Sequence, residues 1–280
     1  MIGQGRPQAG LERVTLVAID CLNPLHALRA LDICLDKMAF ADAVFLSDTA
    51  SNYNLPGCRM VGIPRIDSSA AYSRFVIKDL GRHVQTSHLL LVQWDGYILD
   101  PSAWRAEFLD YDYIGAPWGW YEDEHRVGNG GFSLRSRKLL DALQDPEVSD
   151  CVPEDEAIGR RYRSMLEARY GIRFAPEAIA ASFSFETTYP PAPTLGFHGL
   201  FNMWMALTPQ ELAPFVGALH PSVVAGPQYL RLASNYRDAG RLQEAIVVLG
   251  RRTQLDPADR DAARKLAQWQ AEAGGPHRDN

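Results

Sequence analysis

Asp95 is the residue from which we begin the search for a chemical role. It stands in the turn Gln93-Trp94-Asp95-Gly96, directly after the apolar run 89–92. An apolar run without helical spacing predicts a strand that is buried on both faces. Ligands of open α/β sheets lie beyond the carboxyl ends of the strands, so we expect Asp95 at the edge of a crevice. A carboxylate there suits Mg²⁺ or Mn²⁺, although it would also suit a simple turn cap.

A second group of acids, Glu154, Asp155 and Glu156, follows Pro153 at the predicted start of a helix. Carboxylates in a first helical turn are stabilised by the helix dipole, which explains them without a catalytic role. If one of them faces the crevice, it can act as a general base toward a hydroxyl group. The sequence leaves both interpretations open.

The turn Gly128-Asn129-Gly130-Gly131 lies between these acids and Asp95. Glycine permits positive φ angles and lets a ligand approach the backbone closely, but a glycine turn also forms without any ligand. The alternation in 132–134 predicts a strand after the turn. Ser136 is then expected to cap the next helix.

Aromatic residues and one histidine complete the candidate set. Trp118 and Trp120 lie among turn formers in the segment 110–120. Their rings either pack beneath the sheet or form a wall on which a sugar or base stacks. His198, between Phe197 and Gly199, is either a core histidine or a ligand that completes a metal site begun by Asp95.

The elements that must position these residues are typical of a parallel α/β sheet. A strand at 14–19 ends on Asp20, a helix begins with Asn23 as its cap and Pro24 as its first residue, and a strand at 43–46 precedes Asp48. No GxGxxG motif follows Asp20, so the usual dinucleotide-binding fold is not expected. Further strands are predicted at 59–63, 88–92, 171–176 and 180–185, and a helix capped by Ser68 or Ser69 is predicted up to residue 80.

The C-terminal segment differs in composition from the rest. After about residue 226 it is rich in Ala, Leu, Arg and Gln, and its small and large residues follow the spacing of one tetratricopeptide repeat of about 34 residues. One repeat cannot bury its own apolar face, so we expect it to dock on the main domain or on another chain. The predicted organisation is a disordered N-terminus (1–12), an α/β domain (13–222) and tetratricopeptide-like helices (226–275).

Composition restricts the partners and the location. The net charge of −6 and the pI of about 5.7 argue against nucleic acid as the main partner. Four cysteines without CxxC spacing fit reduced thiols. There is no secretory-signal pattern and no apolar run of the roughly 18 residues that cross a bilayer. A cytoplasmic protein without a transmembrane segment is therefore expected.

Taken in order, the motifs resemble a glycosyltransferase-like domain family that occurs in bacteria and fungi. They are 93–96, 112–118, 128–135, 153–155 and 196–198. The resemblance covers about residues 14–204 and implies a compact relative of the GT-A fold of nucleotide-sugar transferases. The expected fold class is thus α/β, a GT-A-like mixed sheet with flanking helices, plus the small C-terminal all-α segment.

The resemblance also implies roles for individual residues. Asp95 matches the last acid of the metal-binding DxD motif, whose first acid is replaced here by Gln93, and His198 matches the late histidine of the metal shell. Asp155 resembles the general base of inverting members, and its neighbour Glu154 is the alternative base. The implied donor-binding residues are Asp20, Asp48, Gln93, Trp94, Gly128, Asn129, Gly130 and Gly131.

We therefore expect a Mn²⁺- or Mg²⁺-dependent hexosyltransferase that moves a sugar from a UDP- or GDP-linked donor to a hydroxyl of a sugar or protein acceptor, with inversion. A divalent ion neutralises the leaving diphosphate, and a base deprotonates the acceptor. The alternative is a degenerate, transferase-like binding module recruited through its helical repeat, which Gln93 favours; a phosphate-handling hydrolase is a third possibility. The C-terminal helices suit a homodimer or a protein partner in either case.

Overall fold

The computed structural model of the protein describes residues 8–274, and the chain divides into two compact units. The first unit ends at His198 and the second begins at Gly199. This boundary lies earlier than the expected one near residue 222, because the segment 199–222 packs with the C-terminal helices. Of the N-terminal segment expected to be disordered, residues 1–7 lie outside the described residues. Residues 8–12 instead form the start of the first strand.

A mixed six-stranded sheet forms the centre of the first unit, as predicted. Its strands are β1 (Gln8–Ile19), β2 (Met38–Ser47), β3 (Arg59–Gly62), β4 (His88–Val92), β5 (Tyr113–Ile114) and β6 (Phe132–Ser136). Their spatial order is β3-β2-β1-β4-β6-β5. Strands β1 to β4 are parallel, whereas β6 runs antiparallel to both of its neighbours.

The strand β4 is buried on both faces, as its apolar run predicts. Leu89 to Val92 are at most 1% exposed. Along one edge β4 pairs with β1, where Ala18 is opposite Val92, and along the other it pairs with β6. A strand bonded on both edges and covered on both faces has to be apolar throughout. The turn 93–96 consequently leaves the middle of the sheet at the carboxyl ends of the parallel strands.

Helices flank this sheet, and Asn23, Ser68 and Ser136 stand at the predicted cap positions. Asn23 precedes the first helix, Ser68 Oγ accepts a hydrogen bond from the Ala71 N–H at 3.2 Å, and Ser136 Oγ accepts one from the Leu139 N–H at 3.0 Å. Such bonds satisfy backbone donors that have no partner within a helix. The helices are α1 (Pro24–Lys37), α2 (Ser69–Lys78), α3 (Arg137–Ala142), α4 (Glu154–Glu156), α5 (Arg163–Tyr170) and α6 (Glu177–Phe183).

The strand predicted at 180–185 is wrong over most of its length. The helix α6 extends through Phe183, and only β7 (Ser184–Phe185) is extended, paired in parallel with β8 (Gly196–Phe197). The alanines of α6 favour a helix, whereas the alternation of Phe and Ser that follows resembles a strand. At 171–176 the structure forms an isolated bridge between Tyr113 and Phe174 rather than a strand of the main sheet.

The second unit is helical. A short apolar 3-10 turn, Leu200–Met205, precedes α7 (Pro209–Ala218), α8 (Pro221–Ala225), α9 (Pro227–Asp238), α10 (Leu242–Leu255) and α11 (Arg260–Gly274). The helix α10 packs against both α9 and α11. The predicted helical hairpin is therefore present, while its assignment to the tetratricopeptide class stays a prediction. Within residues 8–274, none of the helices combines the length and apolar composition needed to span a membrane.

Candidate active site

The dipeptide Gly130-Gly131 lies between two groups of buried and half-buried polar side chains. A Cβ atom on Gly131 would overlap the imidazole of His198, and one on Gly130 would lie 2.5 Å from Glu154 Oε1. Neither glycine has a positive φ, so glycine is needed here for space and not for an unusual backbone conformation. We call the two groups the histidine cluster (Gln93, Asp95, Glu186, His198) and the acid cluster (Arg135, Glu154, Asp155).

In the histidine cluster, the imidazole of His198 lies among three oxygen-bearing side chains. Its Nδ1 is 3.1 Å from Glu186 Oε1, and its Nε2 is 3.0 Å from Gln93 Oε1 and 3.4 Å from Asp95 Oδ1. Burial by itself lowers the pKa of His198, but the carboxylates of Asp95 and Glu186 outweigh this effect and raise it well above its usual value. The cluster therefore favours a positive charge.

The backbone fixes this cluster through close packing of three segments. The Gln93 N–H donates to the Gly131 carbonyl at 3.0 Å, and the His198 N–H donates to the Phe185 carbonyl at 3.0 Å. A Cβ atom on Gly96 would lie 2.6 Å from the Phe197 carbonyl oxygen. The turn after β4 thus rests directly on the end of β8, which explains why a glycine follows Asp95.

The histidine cluster fits a divalent cation whose remaining ligands come from elsewhere. Asp95 is 5% exposed, and its Oδ1 accepts no well-aligned hydrogen bond although it lies beside His198 Nε2. A carboxylate oxygen, an imidazole nitrogen and an amide oxygen are all acceptable ligands for Mn²⁺. Among residues 8–274 no three His, Cys, Asp or Glu side chains are placed to hold a metal ion. Such a site therefore depends on water or phosphate oxygens to complete the coordination.

Arg135 is at the centre of the acid cluster and is fully buried on β6. Its Nη2 lies 3.5 Å from Glu154 Oε1 and donates to the Gly130 carbonyl at 3.3 Å, while its Nε donates to Ser133 Oγ at 3.0 Å. Its Nη1 is buried without a hydrogen-bond partner among the described residues. A buried guanidinium with so few acceptors has to be compensated by a nearby carboxylate, which Glu154 provides.

Asp155 has a pKa raised to about 7. Burial is the largest cause and the neighbouring charge of Glu154 is the second, whereas the Glu156 N–H and Arg135 act in the opposite direction. A helix dipole acting alone would favour the ionised form and lower this pKa. Stabilisation by the helix dipole therefore does not by itself account for an acid at position 155. It matches what a general base needs near neutral pH.

The glycine turn points its carbonyl groups into the protein. The carbonyl of Gly128 accepts a hydrogen bond from Tyr113 Oη, and that of Gly130 accepts bonds from Ser133 and Arg135. Asn129 Oδ1 accepts a bond from the Gly131 N–H at 3.3 Å. These contacts explain the turn by close packing, and a donor-binding role for it stays a prediction.

Trp118 and Trp120 differ sharply in exposure. Trp118 is 1% exposed, and a Cβ atom on Gly128 would overlap its indole ring. A ring buried in this way offers no face to a sugar, so the packed-aromatic alternative is correct for Trp118 and its predicted place in a ligand wall is wrong. Trp120 is 54% exposed and keeps an accessible face.

The remaining candidates lie at the carboxyl edge of the sheet in local contacts of their own. Asp20 Oδ1 accepts a hydrogen bond from the Leu22 N–H at 2.6 Å, ahead of α1. Asp48 forms an ion pair with Arg65 at 3.0 Å; burial raises the pKa of Asp48, but this pairing outweighs it and leaves the pKa below its usual value. Trp94 is half-buried with its ring edge-on to His26, at 6.0 Å between centroids. Donor binding by these residues stays a prediction.

Sequence reasoning missed two residues of the clusters, Arg135 and Glu186. Glu186 directly follows β7, so the rule that singled out Asp20, Asp48 and Asp95 also applies to it. An arginine within an apolar, alternating strand was the available signal for Arg135, since a buried charge requires a partner.

Comparison with known proteins gives one family and distant structural similarity. The chain resembles the solved structure "Mannosyltransferase PcManGT from Pyrobaculum calidifontis in complex with GDP-Man and Mn2+" with a TM-score of 0.40 and 13% identity, over 93% of this chain and 80% of that one. No curated protein matches the sequence. Residues 59–198, half of the chain, match the family described as "Protein of unknown function (DUF5672)". These residues include Gln93, Asp95, the glycine turn, the acid cluster and His198, and the chain belongs to this family.

Proposed function

We propose that this protein is a glycosyltransferase that moves a sugar from a nucleotide-sugar donor to an acceptor hydroxyl. The observation that carries the proposal is the contact of one glycine dipeptide with both clusters. One cluster joins a carboxylate and an imidazole that can hold a divalent ion, and the other contains a carboxyl group with a pKa of about 7. Glycosyl transfer needs both properties at one place, because a diphosphate leaves while an acceptor hydroxyl loses its proton.

In this proposal Asp155 is the general base. Its carboxylate takes the proton from the acceptor hydroxyl as the oxygen attacks the anomeric carbon, and a single base of this kind suits inversion. Glu154 stays paired with Arg135 and acts on Asp155 through its charge. Buried surroundings exclude water, which would otherwise compete with the acceptor.

Asp95 and His198 would hold Mn²⁺ or Mg²⁺, with Gln93 beside them. The chemistry that such an ion supplies is neutralisation of the negative charge on the diphosphate. Asp20, Asp48, Trp94 and the glycine turn remain the proposed donor-binding residues. The proposed donor class is a UDP- or GDP-linked hexose, and the proposed acceptor is a sugar or a protein hydroxyl.

A second candidate, a transferase-like binding module without catalysis, is favoured by one observation. Across residues 8–274 no three acidic, histidine or cysteine side chains converge as metal ligands, and Gln93 stands where a third carboxylate would strengthen the site. Such a module would bind a nucleotide sugar without transferring the sugar.

A thermal-shift screen of UDP-, GDP- and CMP-sugars, with and without Mn²⁺, tests binding directly. At least one donor is expected to raise the melting temperature in the presence of Mn²⁺. Asp95→Asn and His198→Ala should abolish both this shift and sugar transfer. Asp141→Asn, an exposed acid on α3, is the matched control and should behave like the wild type.

Product analysis separates the two candidates. We expect Asp155→Asn to lower turnover far more than donor affinity. A wild-type protein that binds a donor with Mn²⁺ but releases no product with any acceptor supports the binding module. Full transfer by Asp95→Asn and His198→Ala in metal-free buffer contradicts the metal assignment.

A further inference from the structure

A separate pocket lies between the segment after β5 and the segment after α6. It encloses about 110 Å³ within a concavity of about 420 Å³ that opens to solvent. Pro117 and Arg126 form one side, and the other side runs from α6 through β7 to the proline-rich stretch after it. The second side includes Glu177, Ala181, Ser184, Phe185 and Tyr189.

Two polar atoms of the lining residues have no hydrogen-bond partner in the described chain. Ser184 is fully buried on β7, yet its Oγ makes no hydrogen bond, and Arg126 Nε is also buried and unpaired. Leaving such groups unpaired costs roughly 1–3 kcal/mol each, unless a ligand or ordered water pairs with them. A hydroxyl group, which both donates and accepts, matches a serine Oγ and an arginine N–H together.

The rest of the lining favours a neutral ligand with apolar faces. The charge of Arg126 is balanced by Glu177, whose Oε2 lies 3.2 Å from Arg126 Nη1. Phe185 and Tyr189 contribute two rings with centroids 5.8 Å apart, and 49% of Tyr189 is exposed. A sugar ring combines hydroxyl groups at its edge with C–H faces that stack on aromatic rings. This composition disfavours a diphosphate, which would need unbalanced positive charge.

The chain segments on both sides of the pocket lead directly to residues that contact the candidate active site. Phe185 is followed by Glu186, which contacts His198 Nδ1 at 3.1 Å. On the other side Pro117 is followed by Trp118, whose ring packs on Gly128 of the glycine turn. The two sides also approach each other, since a Cβ atom on Gly119 would lie 2.7 Å from Thr188 Oγ1.

We propose that this pocket binds one neutral sugar ring of the acceptor, with Ser184 and Arg126 Nε on its hydroxyl groups and Tyr189 against its face. This inference rests on the proposed function, because it supplies the acceptor site of that reaction. The volume suits a single small ring, whereas sites for drug- or cofactor-sized ligands are commonly roughly 300–1,000 Å³. It also transfers the sugar-binding role predicted for Trp118 to another aromatic residue, Tyr189.

Saturation-transfer NMR on the full chain tests the proposal. The probes are methyl β-glucopyranoside, methyl β-galactopyranoside and methyl α-mannopyranoside, each titrated separately. At least one glycoside is expected to receive saturation at its ring protons. Tyr189→Ala should weaken its binding by roughly tenfold and Ser184→Ala by about fivefold, whereas Tyr189→Phe, which keeps the ring, should stay within about twofold of the wild type.

Ala181→Leu reduces the space of the pocket from α6 and should abolish glycoside binding while the melting temperature stays near that of the wild type. The proposal is overturned if none of the glycosides is saturated, or if Tyr189→Ala and Ala181→Leu bind as the wild type does. The donor thermal-shift screen on the same samples separates the two proposals. Donor shifts without glycoside binding refute the pocket alone. Pocket-dependent glycoside binding without any donor shift refutes the transferase assignment, and with it the acceptor role of the pocket, but not its binding of a sugar ring.

Discussion

The histidine cluster and the acid cluster use similar residues but place charge differently. In each, two carboxylates surround one basic side chain. His198 can gain a proton, and the carboxylates of Asp95 and Glu186 raise its pKa. In this cluster the excess negative charge is therefore balanced by a proton on the imidazole. Arg135 is permanently charged and compensates the carboxylate of Glu154. The second carboxyl group, Asp155, has no such partner among residues 8–274 and instead retains a proton up to its pKa of about 7. The type of base decides whether a site favours a cation or holds a proton on a carboxyl group.

The largest effect is expected from removing the permanent charge. Arg135→Met leaves Glu154 buried without its partner and should lower the free energy of unfolding by about 3–5 kcal/mol. Urea denaturation at pH 7 measures this loss. The double variant Arg135→Met/Glu154→Gln should recover part of it, because the uncompensated charge is gone.

Arg59→Met is the matched control for this loss. Arg59 pairs with Asp42 at 2.6 Å, but its side chain is 48% exposed, so the change should stay within about 1 kcal/mol. If Arg135→Met is no more costly than Arg59→Met, the acid cluster does not depend on a buried ion pair.

The two adjacent glycines allow each cluster to be disturbed separately. Gly131→Ala would push the imidazole of His198 away from Gln93 and Asp95, and Gly130→Ala would push against Glu154. Each should cost about 1–3 kcal/mol, as overpacking usually does. Isothermal titration with Mn²⁺ should show lost binding for Gly131→Ala and retained binding for Gly130→Ala. Gly62→Ala, with nothing within 4 Å of the added atom, is the control; equal Mn²⁺ binding by all three variants contradicts the separation.

The raised pKa of Asp155 predicts how stability depends on pH. Its pKa is about 7 in the folded protein, against 3.8 for an unperturbed aspartate, the value taken for the unfolded chain. The folded state therefore binds more protons between these values, and the contribution to stability is lost as the pH rises through about 7. The slope is at most about 1.4 kcal/mol per pH unit. Urea denaturation from pH 5 to pH 8 should show this slope below about pH 7 and a plateau above it in the wild type and in Asp141→Asn, and no such slope in Asp155→Asn.

The same pKa predicts the pH dependence of catalysis. A base works only when deprotonated, so the rate of transfer should rise with pH through about 7. Glu154→Gln removes a charge that raises the pKa of Asp155, so the rise should move to lower pH. An unchanged profile in Glu154→Gln means that another group controls it.

Features set by local chemistry were predictable from the sequence. The apolar run 89–92 gave the buried strand, and the helix starts at Pro24, Ser69 and Arg137 followed from the capping residues before them. Features set by packing between distant segments were not. The boundary after His198 depends on which surfaces meet in three dimensions.

The residues of the candidate site also divide into those that local sequence indicates and those that depend on packing between distant segments. Asp95 and Asp155 were included in the predicted site because an acid after a strand and an acid at a helix start are visible locally. Arg135 was missed because its place in the acid cluster requires β6 to lie between β4 and β5, and the sequence of β6 does not reveal that order. The burial of Trp118 was undecided for the same reason, since it depends on contact with Gly128 in a separate turn.

The smallest effect is expected at Gln93, the residue that distinguishes the histidine cluster from one with three carboxylates. Gln93→Glu keeps the shape of the side chain that contacts His198 and Tyr72, but it adds a negative charge beside Asp95. Because the charge on the ligands tunes the affinity for hard cations, Mn²⁺ should bind up to about tenfold more tightly. Gln93→Met, which offers no oxygen, should bind Mn²⁺ more weakly than the wild type in the same titration. If the glutamate and methionine variants bind Mn²⁺ equally, then Gln93 does not face the cation, and the cluster owes its affinity for positive charge to Asp95 and Glu186 alone.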